Sequence, residues 1–198
     1  MKSLAKWRAF ITISLSVVAF AAYVFHKMQP LILFIRKQDP AIKFSGEVLL
    51  YQGLWARFWH YPAHYFYSVG HFFVARIISQ CARFLTGIEI HPGATLSDTV
   101  FIDHGAGTVI GETAIIGDYT TIYQGVTLGG TGKESGKRHP TVGNHVMIGS
   151  GAMILGNVTI NDRAKIGALS VVLEDVEADA TVVGIKGRLE NLLKHGWN

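Results

Sequence analysis

From Ile90 onward an aliphatic residue returns at every sixth position, and that period constrains the chain more than any other feature. The anchors run Ile90, Leu96, Ile102, then Ile110, Ile116, Ile122, Leu128, and after a gap Val142, Ile148, Ile154, Ile160, Ile166 and Val172. A helix repeats every 3.6 residues and a strand every 2, so neither accounts for a beat of six held over thirteen anchors. A parallel β-helix does. Each hexapeptide makes one flat side of a triangular coil and points its anchor inward. Small or β-branched residues mostly sit two positions before the anchor. Gly follows it at Gly111, Gly117, Gly129, Gly143, Gly149 and Gly167, which suits a tight corner. Three hexapeptides close a coil, so the anchors make a little over four. The expected fold is mainly β, a hexapeptide-repeat parallel β-helix over residues 88–188.

The beat fails twice. Between Ile102 and Ile110 the step is eight, and the excess carries "DHGAG"; between Leu128 and Val142 it is fourteen, and the excess carries "GGTGKESGKRHP". Insertions that leave the wall intact must protrude as loops, and loops on a rigid scaffold are where function concentrates. These two contain His104, Arg138 and His139.

The residues before the repeat are of two kinds. Residues 1–37 are an apolar leader, in which Ala9 to Phe25 hold no charge and basic residues stand on both flanks. As a helix those 17 residues span roughly 26 Å, at the lower limit for crossing a bilayer. A membrane anchor through residues 9–25 is the expectation; a signal peptide and a buried helix are the rivals. Because both flanks are basic, orientation is not readable. Pro30 separates this run from a second, "LILFI". Residues 38–87 read as an α-helical subdomain rich in aromatics, with Gly53, Pro62 and Gly70 as expected breaks or bends. Residues 189–198 form a short C-terminal tail.

Charged residues are 16% of the 198 and the net charge is +4, with Lys and Arg scattered. That excludes disorder and gives no reason to expect nucleic acid as a partner. Cys81 is the one cysteine, so no intrachain disulfide can form; within "VARIISQCARF" it reads as a small buried thiol.

His104 is a candidate general base, because imidazole exchanges protons near neutrality and a carboxylate can orient it. Asp103 and Glu89 are candidates for that carboxylate. Arg138 offers a planar fork for a carboxylate. The glycine-rich "LGGTGKESGKRHP" could bring N–H groups and Lys133 or Lys137 to a phosphate. His91, His104 and His139 could together hold zinc. Their spacing matches no common zinc pattern, so no metal is expected.

"TGIEIHPGATL", "FIDHGAGTVIGET", "IYQGVTLGGTGKESGKRHPTV", "KIGALSVVL" and the earlier "QDPAIKF" together resemble the bacterial serine O-acetyltransferases. The resemblance runs from about residue 38 to 188. It implies a left-handed parallel β-helix preceded by an α-helical N-terminal region. It also implies transfer of an acetyl group from acetyl-CoA to the hydroxyl of L-serine, a first step toward cysteine, with no metal. His104 matches the base and Glu89 the acid paired with it, where many relatives carry Asp. Asp39, Asp103, Arg138 and His139 match residues that hold serine. Gly130, Ser150 and Ala168 match positions along the CoA groove. Family members are trimers with sites between coils of neighbouring copies, so a homotrimer is implied, with a cytoplasmic catalytic domain where acetyl-CoA is available.

The chain departs from the family in four places. Tyr61 stands where relatives have Arg, in "HYPAH". Leu169 replaces the Gly of "GAGS" beside the expected CoA wall. The leader replaces the helices that join two trimers, so a hexamer does not follow. The tail "LLKHGWN" differs from the Ile-terminated peptide that docks into cysteine synthase, so that partnership is not expected. Two other readings stand beside this one: an O-acetyltransferase for another hydroxyl on a sugar, peptide or membrane-linked compound, and a non-catalytic membrane-tethered scaffold.

Overall fold

The structure, a computed structural model, describes residues 2–132 and 135–185. Lys133, the last residues of the expected repeat domain (186–188) and the expected tail 189–198 lie outside the described residues. The hexapeptides form three parallel sheets, the sides of a prism. Sheet one stacks β1 (Glu89–Ile90), β4 (Val109–Ile110), β7 (Thr127–Gly129), β10 (Met153–Leu155) and β13 (Val171–Val172). Sheet two stacks β2 (Thr95–Leu96), β5 (Ile115–Ile116), β8 (Thr141–Val142) and β11 (Thr159–Ile160). Sheet three stacks β3 (Phe101–Ile102), β6 (Thr121–Ile122), β9 (Met147–Ile148), β12 (Lys165–Ile166) and β14 (Thr181–Val182). This is the left-handed parallel β-helix.

The anchors stack on one another: Ile90, Ile110, Leu128, Ile154 and Val172 are in register up sheet one. Twelve of the thirteen anchors are buried, and Leu96 packs on the core from its partly open position in β2. The residue two before the anchor is buried too, as at Ala94, Val100, Ala114, Val126, Val146, Ala152, Val158 and Ala164. Each buried Val, Leu or Ile side chain contributes about 1.5–3 kcal/mol, and each Ala less. Both interruptions leave this ladder in register, so they are extruded at corners. We name the corners by the sheets they join: edge one joins sheets one and two, edge two joins two and three, and edge three joins three and one.

Among the described residues four α-helices precede the prism, α1 (Lys2–Lys27), α2 (Gln29–Gln38), α3 (Gln52–Ser68) and α4 (Phe72–Thr86), with a 3-10 helix (Ser45–Leu50) between α2 and α3. Pro30 lies in the first turn of α2, where a missing N–H costs nothing. Leu31, Ile32, Phe34 and Ile35 of α2 bury against Val24, Met28, Leu54 and Phe101, a second core on the outside of sheet three. Gly53 falls in the first turn of α3 and Pro62 inside it, and the helix is continuous through both. Gly53 is needed for closeness rather than for a bend, since a Cβ there would lie 2.0 Å from the carbonyl oxygen of Ile102. Gly70, at φ 83°, does separate α3 from α4. Cys81 is exposed, which corrects the expectation of a buried thiol. The reason is that α4 buries its small residues, Ala75, Ser79, Ala82 and Thr86, and turns Cys81 with Phe73 and Phe84 outward.

Candidate active site

The expected site residues fall on two of the three edges. Asp103, His104, Ser150 and Ala168 lie on edge three, and Gly130, Arg138 and His139 on edge one, while Glu89 sits on sheet one between them.

At edge three the two extra residues let the backbone leave the wall. His104 and Gly105 take successive left-handed conformations, φ 58° and 68°. Histidine tolerates that region better than most residues. Gly105 is required, because a Cβ there would lie 2.3 Å from Ile88 Cδ1. The result pushes the imidazole outward, its side chain 74% exposed. Its Nε2 is 3.9 Å from Asp103 Oδ1, too long for a hydrogen bond. Asp103 is mostly buried, and burial raises its carboxyl pKa above the ordinary value. Asp39 joins this edge from the segment after α2. Its carboxylate accepts from the Tyr51 hydroxyl and, at 2.7 Å, from the Ala41 N–H. The Tyr51 hydrogen bond is the larger cause holding its pKa below the ordinary value. Asp39, Tyr51, Asp103 and His104 line a cavity of about 500 Å³, and Asp39 and Asp103 also border one of about 270 Å³. The acids and the imidazole are thus one cluster, suited to a cationic group beside a hydroxyl. A larger cavity, about 580 Å³ between α2 and edge two, contains none of the expected residues.

At edge one, Arg138 Nη2 donates to Glu112 Oε2 at 2.5 Å, and Tyr67 of α3 donates to Glu112 Oε1 at 2.6 Å. Those two bonds, Tyr67's first, hold the Glu112 pKa below the ordinary carboxylate value. The N–H groups of Arg138 and His139 both donate to Thr113 Oγ1, at 3.0 and 3.1 Å. Lys137 Nζ donates to the carbonyls of Thr113 and Pro140 at 2.7 and 3.3 Å, so within the chain it braces the loop. His139 is buried, and burial followed by the neighbouring Arg138 lowers its pKa. Its ring lies over Gly111, where a Cβ would come within 2.0 Å of Cδ2.

Glu89 is not drawn to His104 within the single chain; it pairs with Arg83 of α4 at 3.1 Å. Ser150 and Ala168 stack on edge three in the coils above His104, beside Gly125 and Gly151. Leu169 takes φ 58° there, and its side chain covers Gly151. Of the three histidines considered for zinc, His91 and His139 share edge one and His104 does not. Among the described residues no group of three or more His, Cys, Asp or Glu could hold a metal ion.

Sequence reasoning missed Tyr51, Tyr67, Glu112 and Thr113. Counting hexapeptides from Ile110 does place Glu112 and Thr113 on the same edge as Arg138, so that signal was present. The tyrosines come from outside the repeat and have no such count.

A hexapeptide β-helix with an imidazole extruded from one edge defines a hexapeptide-repeat acyltransferase. The family model for bacterial transferase hexapeptides (six repeats) matches residues 139–174. The chain is 57% identical over 156 residues to a serine acetyltransferase of Synechococcus elongatus, covering 78% of this chain and 64% of that protein. It is 54% identical over 164 residues to one of Staphylococcus aureus, covering 82% of this chain and 77% of that protein. Serine acetyltransferase of Neisseria gonorrhoeae in complex with serine superposes with a TM-score of 0.78 at 40% identity, covering 83% of this chain and 67% of that one. The chain belongs to the serine acetyltransferase family.

Proposed function

We propose that this chain transfers the acetyl group of acetyl-CoA to the hydroxyl of L-serine, giving O-acetyl-L-serine and CoA, in a site shared between copies of a homotrimer. The observation that carries the shared site is the division of residues between edges three and one. Both edges flank sheet one, which also exposes Met153 and Val171, with Leu173 exposed just beyond it. Turning sheet one toward a threefold axis covers those side chains and brings edge three of one copy against edge one of the next. Each junction then holds His104, Asp103 and Asp39 from one copy and Arg138 and His139 from the other.

In this arrangement Asp39 and Asp103 receive the ammonium of serine, and Arg138 with His139 receives its carboxylate. His104 removes the hydroxyl proton as the oxygen attacks the thioester carbonyl, then returns that proton to the departing sulfur. Glu89 steadies the imidazolium, which requires it to leave Arg83 for His104. Acetyl-CoA lies along edge three by Ser150 and Ala168, with Gly130 of the neighbouring edge one closing the groove.

Purified protein should release CoA from acetyl-CoA only when serine is present, and serine should give the highest kcat/KM in a panel of hydroxyl acceptors. His104→Ala and Arg138→Ala should each be inactive alone. Co-expressed, they should regain activity through mixed trimers, because one junction then keeps both halves. No regain would place both halves in one chain and reject the shared site.

We read α1 as the membrane anchor. The stretch Ser16–Gln38 is long and apolar enough to cross a bilayer, with mean hydropathy 1.5. Its α2 half is folded onto the prism, whereas Ile11, Val17, Val18, Phe20 and Phe25 of α1 are exposed. The catalytic domain would then sit at the cytoplasmic face.

A further inference from the structure

We propose that Thr113 fixes His139 as the neutral imidazole with its hydrogen on Nε2. His139 is then a standing hydrogen-bond donor to the substrate, and His104 is left as the imidazole that exchanges a proton. This rests on the reading that His139 touches substrate, but its structural half can be tested without substrate.

The argument is one of hydrogen counting. A hydroxyl has one hydrogen and two lone pairs. Both lone pairs of Thr113 Oγ1 are taken, by the N–H groups of Arg138 at 3.0 Å and His139 at 3.1 Å. Its hydrogen must therefore go to the remaining neighbour, His139 Nδ1, at 2.9 Å. The Thr113 N–H points at the same nitrogen from 3.2 Å. Two donors converge on Nδ1, so that nitrogen presents a lone pair. In a neutral ring the hydrogen is then on Nε2. Turning the ring over would set a C–H against both donors and lose both bonds.

The surroundings oppose a second proton. The ring is buried on the bare backbone of Gly111. It is faced by Arg138 and Lys137 from its own loop, by Glu112 from the turn of the coil below, and by His91 from the turn two coils below. Burial and the two cations disfavour charge, while Glu112 alone favours it. Protonating Nδ1 would also set a hydrogen against those of Thr113. Thr113 is thus a positioning residue that acts through His139. Two histidines in one junction would otherwise be interchangeable in chemistry; this arrangement gives one the donor role and the other the acceptor role.

The test is the imidazole ¹H–¹⁵N spectrum of the substrate-free trimer, with His139 assigned by the signal lost in His139→Gln. Expected is the Nε2–H pattern, unchanged between about pH 5.5 and 8. Thr113→Val should let that signal titrate or mix tautomers. It should also lower kcat/KM for serine about tenfold, the effect of one hydrogen bond, and add a second ionisation to the acid limb. Thr113→Ser should restore both. A wild-type His139 that shows Nδ1–H, or that titrates in this window, overturns the proposal. So does a folded Thr113→Val trimer with unchanged spectrum and pH profile. If Thr113→Val fails to fold, the wild-type spectrum and Thr113→Ser decide. If serine is not the acceptor, the spectrum still stands while the kinetic change follows the true acceptor.

Discussion

The carboxylate of Glu112 joins Arg138 to Tyr67, accepting from the guanidinium at 2.5 Å and from the hydroxyl at 2.6 Å. One end of this bridge is an inserted loop and the other is a helix, so the fork of Arg138 is aimed by an element outside the repeat. Glu112→Ala frees that fork and leaves Tyr67 unpaired. Because the pair is partly exposed, with side chains 33% and 29% accessible, solvent screens some of the loss. Steady-state kinetics should show kcat/KM for serine reduced by about tenfold, mainly through KM, with Glu112→Gln intermediate. An unchanged KM would mean that Arg138 does not meet the carboxylate.

Tyr51→Phe tests the other half of the site. The hydroxyl holds the Asp39 pKa below its ordinary value, so it stabilises the fold above the unfolded carboxylate range, near pH 3.9, and loses that effect as pH falls through the native pKa. The variant should melt below wild type at neutral pH, and the gap should close as the solution is acidified. Thermal unfolding across a pH series measures this. A gap that widens toward acid would assign the wrong sign to the contact.

Leu169 occupies a left-handed corner that glycine fills at Gly107, Gly125 and Gly151 in the coils below. For a side-chain-bearing residue that conformation costs about 1–2 kcal/mol. A glycine gives back roughly 0.5–1 kcal/mol of that through its freer unfolded chain. Leu169→Gly should therefore change stability by no more than about 1.5 kcal/mol, while uncovering Gly151. We expect a lower KM for acetyl-CoA with the KM for serine unchanged; the reverse pattern would move CoA away from edge three.

Within the core, Ile122 is fully buried between Ile102 and Ile148 in sheet three. Ile122→Ala opens a gap that its neighbours in a continuous ladder cannot close, at a cost of about 2–5 kcal/mol in denaturant unfolding. A loss under 1 kcal/mol would show that the coils relax around it.

Deleting residues 1–23 should leave activity intact and move the protein from the membrane pellet to the supernatant. Co-sedimentation of the shortened chain would assign membrane contact elsewhere, with the outward Phe73 and Phe84 of α4 the next surface to examine.

The prism was legible because a six-residue beat has one structural solution, and the two slips in it marked His104 and the Arg138–His139 pair. Their assignment to different edges was also countable from the anchors. What spacing could not give is what reaches the prism from outside it. Tyr51 and Tyr67 are two aromatics among many in a stretch without the beat, and their roles depend on where α3 lands. Cys81 was misread because an apolar run does not say which face is buried, and α4 buries the small one. Glu89 illustrates a different limit: its resemblance-based partner is His104, whereas the lone chain gives it Arg83.

The ladder in sheet one spaces its anchors by twenty residues from Ile90 to Ile110, eighteen from there to Leu128, and twenty-six from there to Ile154, yet all remain in register. Such a wall counts coils and is indifferent to how much chain is spent at a corner. Length variation at edges one and three is therefore decoupled from folding. Acceptor preference in this architecture can drift by loop insertion or exchange without the scaffold having to be reinvented, and the corner after Gly129 is where a grafted segment would be tolerated best.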